Sequence, residues 1–229
     1  MPCYQLEDGL WFPPVEAAED YGLLAVGGDL SPERLLLAYS LGIFPWYNPG
    51  EPILWWSPDP RCVLFSDNLH ISRSLKHFMN KQSYRISFNE DFAGVIYWCR
   101  RLRVGLDGSG TWITLEMKKA YTRLHELGFA HSVECWDGDQ LVGGLYGLCI
   151  GRCFFGESMF SRSKNASKVV LIHLMKHLQQ REFELLDCQQ TTDHLLSMGA
   201  QEISRKEFQQ YLQKAKVPPY GPLVSQFES

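Results

Sequence analysis

The chain has 229 residues, enough for one large domain or two unequal ones, and 45% of them are hydrophobic. Its formal net charge of -4 excludes a protein that works by bulk attraction to nucleic acid, so any RNA contact has to be a local patch. Seven cysteines without a CxxC pair, and no long apolar run or signal peptide, point to reduced thiols in a cytoplasmic protein with no membrane partner and no metal site.

In chain order, the first 60 residues are rich in Gly and Pro. They hold one clear helix signal, Ser31-Pro32 followed by Leu35, Leu36, Ala38 and Tyr39. Residues 42–60 contain five prolines, which rules out a helix and predicts a rigid aromatic loop with one short strand. From Arg61 the pattern changes. Helices are predicted over residues 68–81, 90–102, 114–127 and 165–180, with shorter ones over 193–198 and 206–215. Strands are predicted over 84–88, 131–136, 140–149, 151–157 and 184–188, with Asp137-Gly138-Asp139 as a hairpin turn. The expected fold class is α+β: a small N-terminal α/β domain over residues 1–60, then an N-acyltransferase-like mixed sheet flanked by helices over 61–229.

Four segments carry more chemistry than packing requires. The first runs from Gly42-Ile43-Phe44-Pro45-Trp46 to Trp55-Trp56. A proline-braced Trp46 offers a flat face on which a base can stack, while Trp55 and Trp56 read better as core. The second is Gly110-Thr111-Trp112-Ile113-Thr114, where Trp112 precedes a helix N-terminus; an ordinary hydrophobic staple beside a cap fits it as well. The third, Phe154 to Ser161, sets Glu157 and Ser158 at a strand end among apolar neighbours. A buried carboxylate there needs a partner, either an incoming ammonium or ribose hydroxyl or a structural ion pair. The fourth is Leu185-Leu186-Asp187-Cys188-Gln189. Strand alternation would put Asp187 and Gln189 on one face, where they could assist proton transfer from an amine or simply cap the strand. Among seven scattered histidines only His194, after Asp193, stays open as a site residue. Basic residues gather between Arg61 and Arg123, whereas the first 33 residues carry acids and no Lys or Arg.

Taken in order, these segments resemble the leucyl/phenylalanyl-tRNA–protein transferases. The resemblance rests on GIFPW at 42–46, PILWWSPDPR at 52–61, LHISRS at 69–74, GTWIT at 110–114, LVGGLYG at 141–147, GESMFSR at 156–162, NASK at 165–168 and DCQ at 187–189. It implies transfer of Leu or Phe, with Met as a further donor, from aminoacyl-tRNA to proteins with N-terminal Arg or Lys, marking them for N-end-rule degradation. It implies no cofactor, since the aminoacyl ester is already activated, and a monomer. It further implies that Trp46 and Trp112 hold the terminal adenosine with Glu157 and Ser158. Leu145, Phe154, Met159 and Leu186 would line the side-chain pocket, and Asp187 and Gln189 would be the catalytic pair. Arg73, Lys76 and Lys81 would face tRNA. Leu145 and Leu174 stand where the pattern leads one to expect Met and Phe. Two other classes compete. In a coenzyme-A-dependent N-acetyltransferase, Asn165 would replace a glycine of the pyrophosphate loop. In a non-catalytic RNA-end binding module, the Glu157 and Asp187 segments would have no purpose.

Overall fold

The computed structural model describes residues 4–7, 9–81, 84–102, 111, 113–217 and 227. The N-terminal part runs β1 (Tyr4–Leu6), β2 (Leu23–Gly27), α1 (Pro32–Ser40), β3 (Phe44–Pro45) and β4 (Leu54–Trp56). These strands form a four-stranded sheet in the order β1-β2-β4-β3. Helix α1 starts as its sequence dictates: Ser31 caps it by accepting from the Arg34 N–H, and Pro32 takes the first turn, where its missing N–H costs nothing.

The remainder runs β5 (Arg61–Leu64), α2 (Arg73–Lys81), β6 (Arg85–Phe88), α3 (Phe92–Arg101), α4 (Leu115–Glu126), β7 (Ala130–Asp137), β8 (Gln140–Ile150) and β9 (Cys153–Ser161). It ends with α5 (Ala166–Gln180), β10 (Leu185–Gln189), α6 (Asp193–Ser197), β11 (Gln201–Ile203) and α7 (Arg205–Lys214). Its sheet has seven strands in the order β11-β5-β10-β9-β8-β7-β6, and β9–β10 is the parallel pair within it. Helices cover both faces. One face packs against α3, α4 and α7 together with α1, through residues such as Val95, Tyr121, Phe208 and Leu35. The other packs against α2, α5 and α6 through Leu75, Ile172, Met175 and Leu195. A sheet buried on both faces explains why β8 is apolar almost throughout rather than alternating.

The mixed α/β class expected from sequence is the one found, and the long periodic segments lie where predicted. On α4, Met117, Ala120, Tyr121 and Leu124 form the buried stripe. Each large side chain of that kind contributes roughly 1.5–3 kcal/mol on burial. Asp137 pairs with Gln140 across a two-residue turn, in which Gly138 has φ 57°. The predicted helix over 68–81 is shorter: residues 66–68 form a separate 3-10 turn, and α2 begins at Arg73. Strands β1, β2, β5 and β11 were not predicted. All four are edge or near-edge strands of three to five residues, and each is specified by its partner rather than by its own pattern.

Candidate active site

Two β-bulges shape the site. Register in β8–β9 jumps between Tyr146↔Ser158 and Gly147↔Gly156, which makes Glu157 an extra residue. Register in β10–β5 jumps between Asp187↔Val63 and Gln189↔Cys62, which makes Cys188 extra. Bulges re-aim side chains and end regular pairing. The parallel pairing of β9 and β10 stops at Phe155↔Asp187, so the two strands diverge beyond it. A cavity of about 310 Å³ opens at that divergence. Gly147 must be glycine here, because a Cβ would run into the Phe155 carbonyl and the Phe154 ring.

Trp46, Leu145, Glu157, Ser158, Met159, Leu186, Asp187 and Gln189 all border the cavity. Eight of the residues singled out from sequence thus converge on one place, from three separate strands and a loop. Phe154 does not border it. That ring is fully buried behind the wall, 5.5 Å from the Phe227 ring, so it supports the pocket rather than lining it. Leu174 is likewise buried inside α5. Trp112 lies outside the described residues. Its neighbour Thr114 caps α4 through the Met117 N–H and meets the Tyr47 hydroxyl at 3.3 Å, which ties the Trp46 loop to that helix start.

Asp187 is completely buried and forms a two-pronged ion pair with Arg61, Nε to Oδ1 at 2.8 Å and Nη2 to Oδ2 at 2.7 Å. Arg61 also donates to the Gly42 carbonyl at 3.2 Å and lies between the Phe44 and Phe208 rings, 4.8 and 4.7 Å from their centroids. The third bond of the Asp187 carboxylate comes from the Gln189 backbone N–H, at 2.9 Å. That contact, a side-chain turn two residues long, steadies Gln189 at φ 64°, a left-handed conformation that costs a non-glycine residue about 1–3 kcal/mol. Simple alternation from Asp187 to Gln189 is therefore not what the strand does. Asp187 orients the Gln189 backbone, while the Gln189 side-chain amide goes elsewhere.

It goes to Glu157. Gln189 Nε2 donates to Glu157 Oε1 at 2.8 Å, and the Tyr39 hydroxyl donates to the same oxygen at 2.6 Å. The Tyr121 hydroxyl bonds that of Tyr39 and supports the carboxylate as well. All these partners are neutral. Burial pushes the Glu157 carboxyl up to about 7, against the three hydrogen bonds, which lower it. Burial, with Glu157 adding to it, raises the Tyr39 and Tyr121 hydroxyls well above their ordinary range, so they remain donors.

At the cavity rim Trp46 is 39% exposed. Its backbone carbonyl accepts from the Trp56 indole at 2.6 Å, and the two rings lie 5.7 Å apart. Trp55 is fully buried and donates to the Gly27 carbonyl, the core role that sequence suggested. His194 also lines the cavity; burial, with Lys168 nearby, lowers its pKa, and its Nε2 is occluded with no hydrogen-bond partner among the described residues. Arg73, Lys76 and Lys81 are exposed on α2, which is anchored by Leu75. Sequence reasoning missed Arg61, Tyr39 and Tyr121. Arg61 ends the quoted PILWWSPDPR stretch and opens an apolar run, Cys62-Val63-Leu64, a position where a buried cation demands an acid. The tyrosines read as apolar members of helix stripes.

Asn165, ahead of α5, has φ 61°. It adopts the left-handed conformation that glycine would, so its mere presence is no argument against a pyrophosphate loop.

Comparison with known proteins bears on which chemistry the cavity serves. A family model described as leucyl/phenylalanyl-tRNA protein transferase matches residues 63–213, and one described as the N-terminal domain of the same family matches residues 28–59. The leucyl/phenylalanyl-tRNA–protein transferase of Syntrophotalea carbinolica is 57% identical over 96% of this chain and 95% of its own. That of Pseudomonas fluorescens is 58% identical over 90% of this chain and 91% of its own. That of Pseudomonas aeruginosa is 57% identical over 93% and 94%.

Proposed function

The chain belongs to the leucyl/phenylalanyl-tRNA–protein transferase family, and from that premise we propose that it moves Leu or Phe from aminoacyl-tRNA to the N-terminal amine of proteins beginning with Arg or Lys. The observation that carries this reading is the Gln189–Glu157 hydrogen bond, set between an apolar wall and an aromatic rim. That is the arrangement an aminoacyl adenosine requires: a dry slot for the side chain, polar groups at the ester and a flat surface for the base.

In this reading the terminal adenine stacks on Trp46, with Trp112 assigned by resemblance alone. The amino-acid side chain lies against Leu145, Met159 and Leu186, held in place by Phe154 behind them. Ser158 and Glu157 receive polar groups of the donor. The acceptor amine attacks the ester carbonyl, the bond to the ribose 3′ oxygen breaks, and that oxygen regains a proton as a hydroxyl. Glu157, surrounded by neutral donors and titrating near neutrality, suits both the acceptance of a proton from an ammonium and its return to the leaving oxygen. Gln189 positions the amine. Asp187, saturated by Arg61 and a backbone N–H, orients Gln189 and does not act as a base. Arg73, Lys76 and Lys81 meet tRNA phosphates.

The two sheets support a division at residue 60, since the four-stranded one lies within residues 4–56 and the seven-stranded one within 61–203. The divergence of the parallel strands around the cavity supports the acyltransferase-like reading of the larger unit. Among the described residues no helix is long and apolar enough to cross a membrane. We place the protein in the cytoplasm as a monomer, without a cofactor. Transfer of labelled leucine from Leu-tRNA to a model protein beginning with Arg, with a Gly-initiated control, tests the function. Product on the Arg protein alone is expected; no product from folded enzyme overturns the reading.

A further inference from the structure

The cavity wall carries two thiols that no step above uses. Cys62 follows Arg61 on β5, and Cys188 follows Asp187 on β10. The register sets Cys62 opposite Gln189, so Cys188, the bulge residue, lies beside it. Both side chains lie on the same side of the sheet, where Cys62 belongs to the buried cluster that Cys188 packs against, and the Cys188 thiol donates to the Leu186 carbonyl at 3.9 Å. Cys62 is fully buried, whereas Cys188 lines the cavity and is the one described cysteine that is not closed off from solvent. Cys99, Cys135, Cys149 and Cys153 are all buried.

We infer that Cys62 and Cys188 form a modification site, a thiol pair that a hydroperoxide oxidises to a disulfide and that thereby switches the transfer site off. The neighbouring Cys188 thiol holds Cys62 below its ordinary value, against burial, and Cys62 together with burial raises Cys188. The peroxide reaches Cys188, the thiol that lines the cavity, which gives up its proton as it reacts. Its sulfur attacks a peroxide oxygen, the O–O bond breaks, the thiol proton passes to the departing oxygen, and a sulfenic acid and one water (or alcohol) form. The second sulfur then attacks the sulfenic sulfur, the S–O bond breaks, and its oxygen leaves with the thiol proton as water. Two thiols lose two electrons, and the peroxide gains them.

The effect on the site follows from what is fixed and what can yield. Asp187 is clamped by Arg61, and Cys62 sits in the middle of a three-strand pairing with β10 and β11. Drawing the two sulfurs to covalent distance therefore moves the bulge, and with it Gln189 and its 2.8 Å bond to Glu157. A misplacement of about 1 Å lowers a rate on the order of 100-fold.

The switch rests on the transferase reading, whereas the disulfide does not, so the test separates them. Reduced protein is treated with hydrogen peroxide, digested and analysed by mass spectrometry, with transfer assayed in parallel. A peptide linking Cys62 to Cys188, two hydrogens lighter than its parts, is expected. Transfer should fall on the order of 100-fold and return with dithiothreitol. Cys62→Ala, or Cys62→Ser if the first variant folds poorly, should keep its transfer rate under peroxide. Absence of the linked peptide overturns the thiol pair. Its presence with transfer undiminished overturns the switch. Reduced enzyme without transfer removes the functional reading and with it the switch, while the peptide still decides the disulfide.

Discussion

Two buried carboxylates sit at the bulges of the adjacent strands β9 and β10, and the chain treats them in opposite ways. Asp187 is matched by a guanidinium that grips both its oxygens. Glu157 receives only hydroxyls and an amide. Pairing with a cation balances a buried charge and makes it structural, since removing either partner strands the other in a dry interior. Solvation by neutral donors leaves the charge conditional, which is why burial can bring Glu157 up to about 7. One carboxylate thus holds the geometry while its neighbour remains free to exchange a proton.

The contrast can be broken most severely at the clamp. Arg61→Met leaves Asp187 buried without a cation and should cost about 3–5 kcal/mol, seen as a lower midpoint in urea denaturation. The same denaturation followed against pH isolates Glu157. Its folded value is raised from 4.5 to about 7, so the folded state binds the extra proton between those values. Stability is then full below about 4.5 and falls as pH rises through about 7. At roughly 1.4 kcal/mol per unit the loss is about 3 kcal/mol, and Glu157→Gln should remove most of that slope while also slowing transfer. A slope unchanged by this substitution would contradict the assignment. Smaller again, Trp46→Ala should weaken use of aminoacyl-tRNA by about 1–3 kcal/mol, read as a raised KM for the donor with the folded stability unchanged. The finest probe is Tyr39→Phe. It removes a hydrogen bond worth about 1 kcal/mol and one influence that lowers Glu157, so the pH–rate profile should move upward.

The parts of this design differ in how far they can be read from residue order. The stripe on α4, the hairpin at Gly138 and the convergence of Trp46, Glu157 and Gln189 were legible, because periodicity and motif are local properties. The Glu157 environment was not. Tyr39 and Tyr121 lie on separate helices, and their hydroxyls meet the carboxylate only after α1 and α4 pack on the same face of the sheet. The two bulges were invisible for a different reason. An inserted residue is defined by its partner strand, so the alternation of Asp187 and Gln189 looked regular until β5 was laid beside it. Phe154 was misplaced for another reason: it shares a face with Met159, but it lies farther along β9, buried beside Phe227 and away from the cavity.

Arg61 has one more consequence. Its guanidinium touches Asp187 on β10, the Gly42 carbonyl ahead of Trp46, and the ring of Phe208 on α7. A chain emerging from the ribosome carries Gly42 early, but Asp187 only once β10 has been made and Phe208 only with α7. Until then the cation has an open side, and the loop bearing Trp46 lacks one of its anchors. Synthesis itself therefore delays the completion of the cavity's frame to nearly the end of the chain.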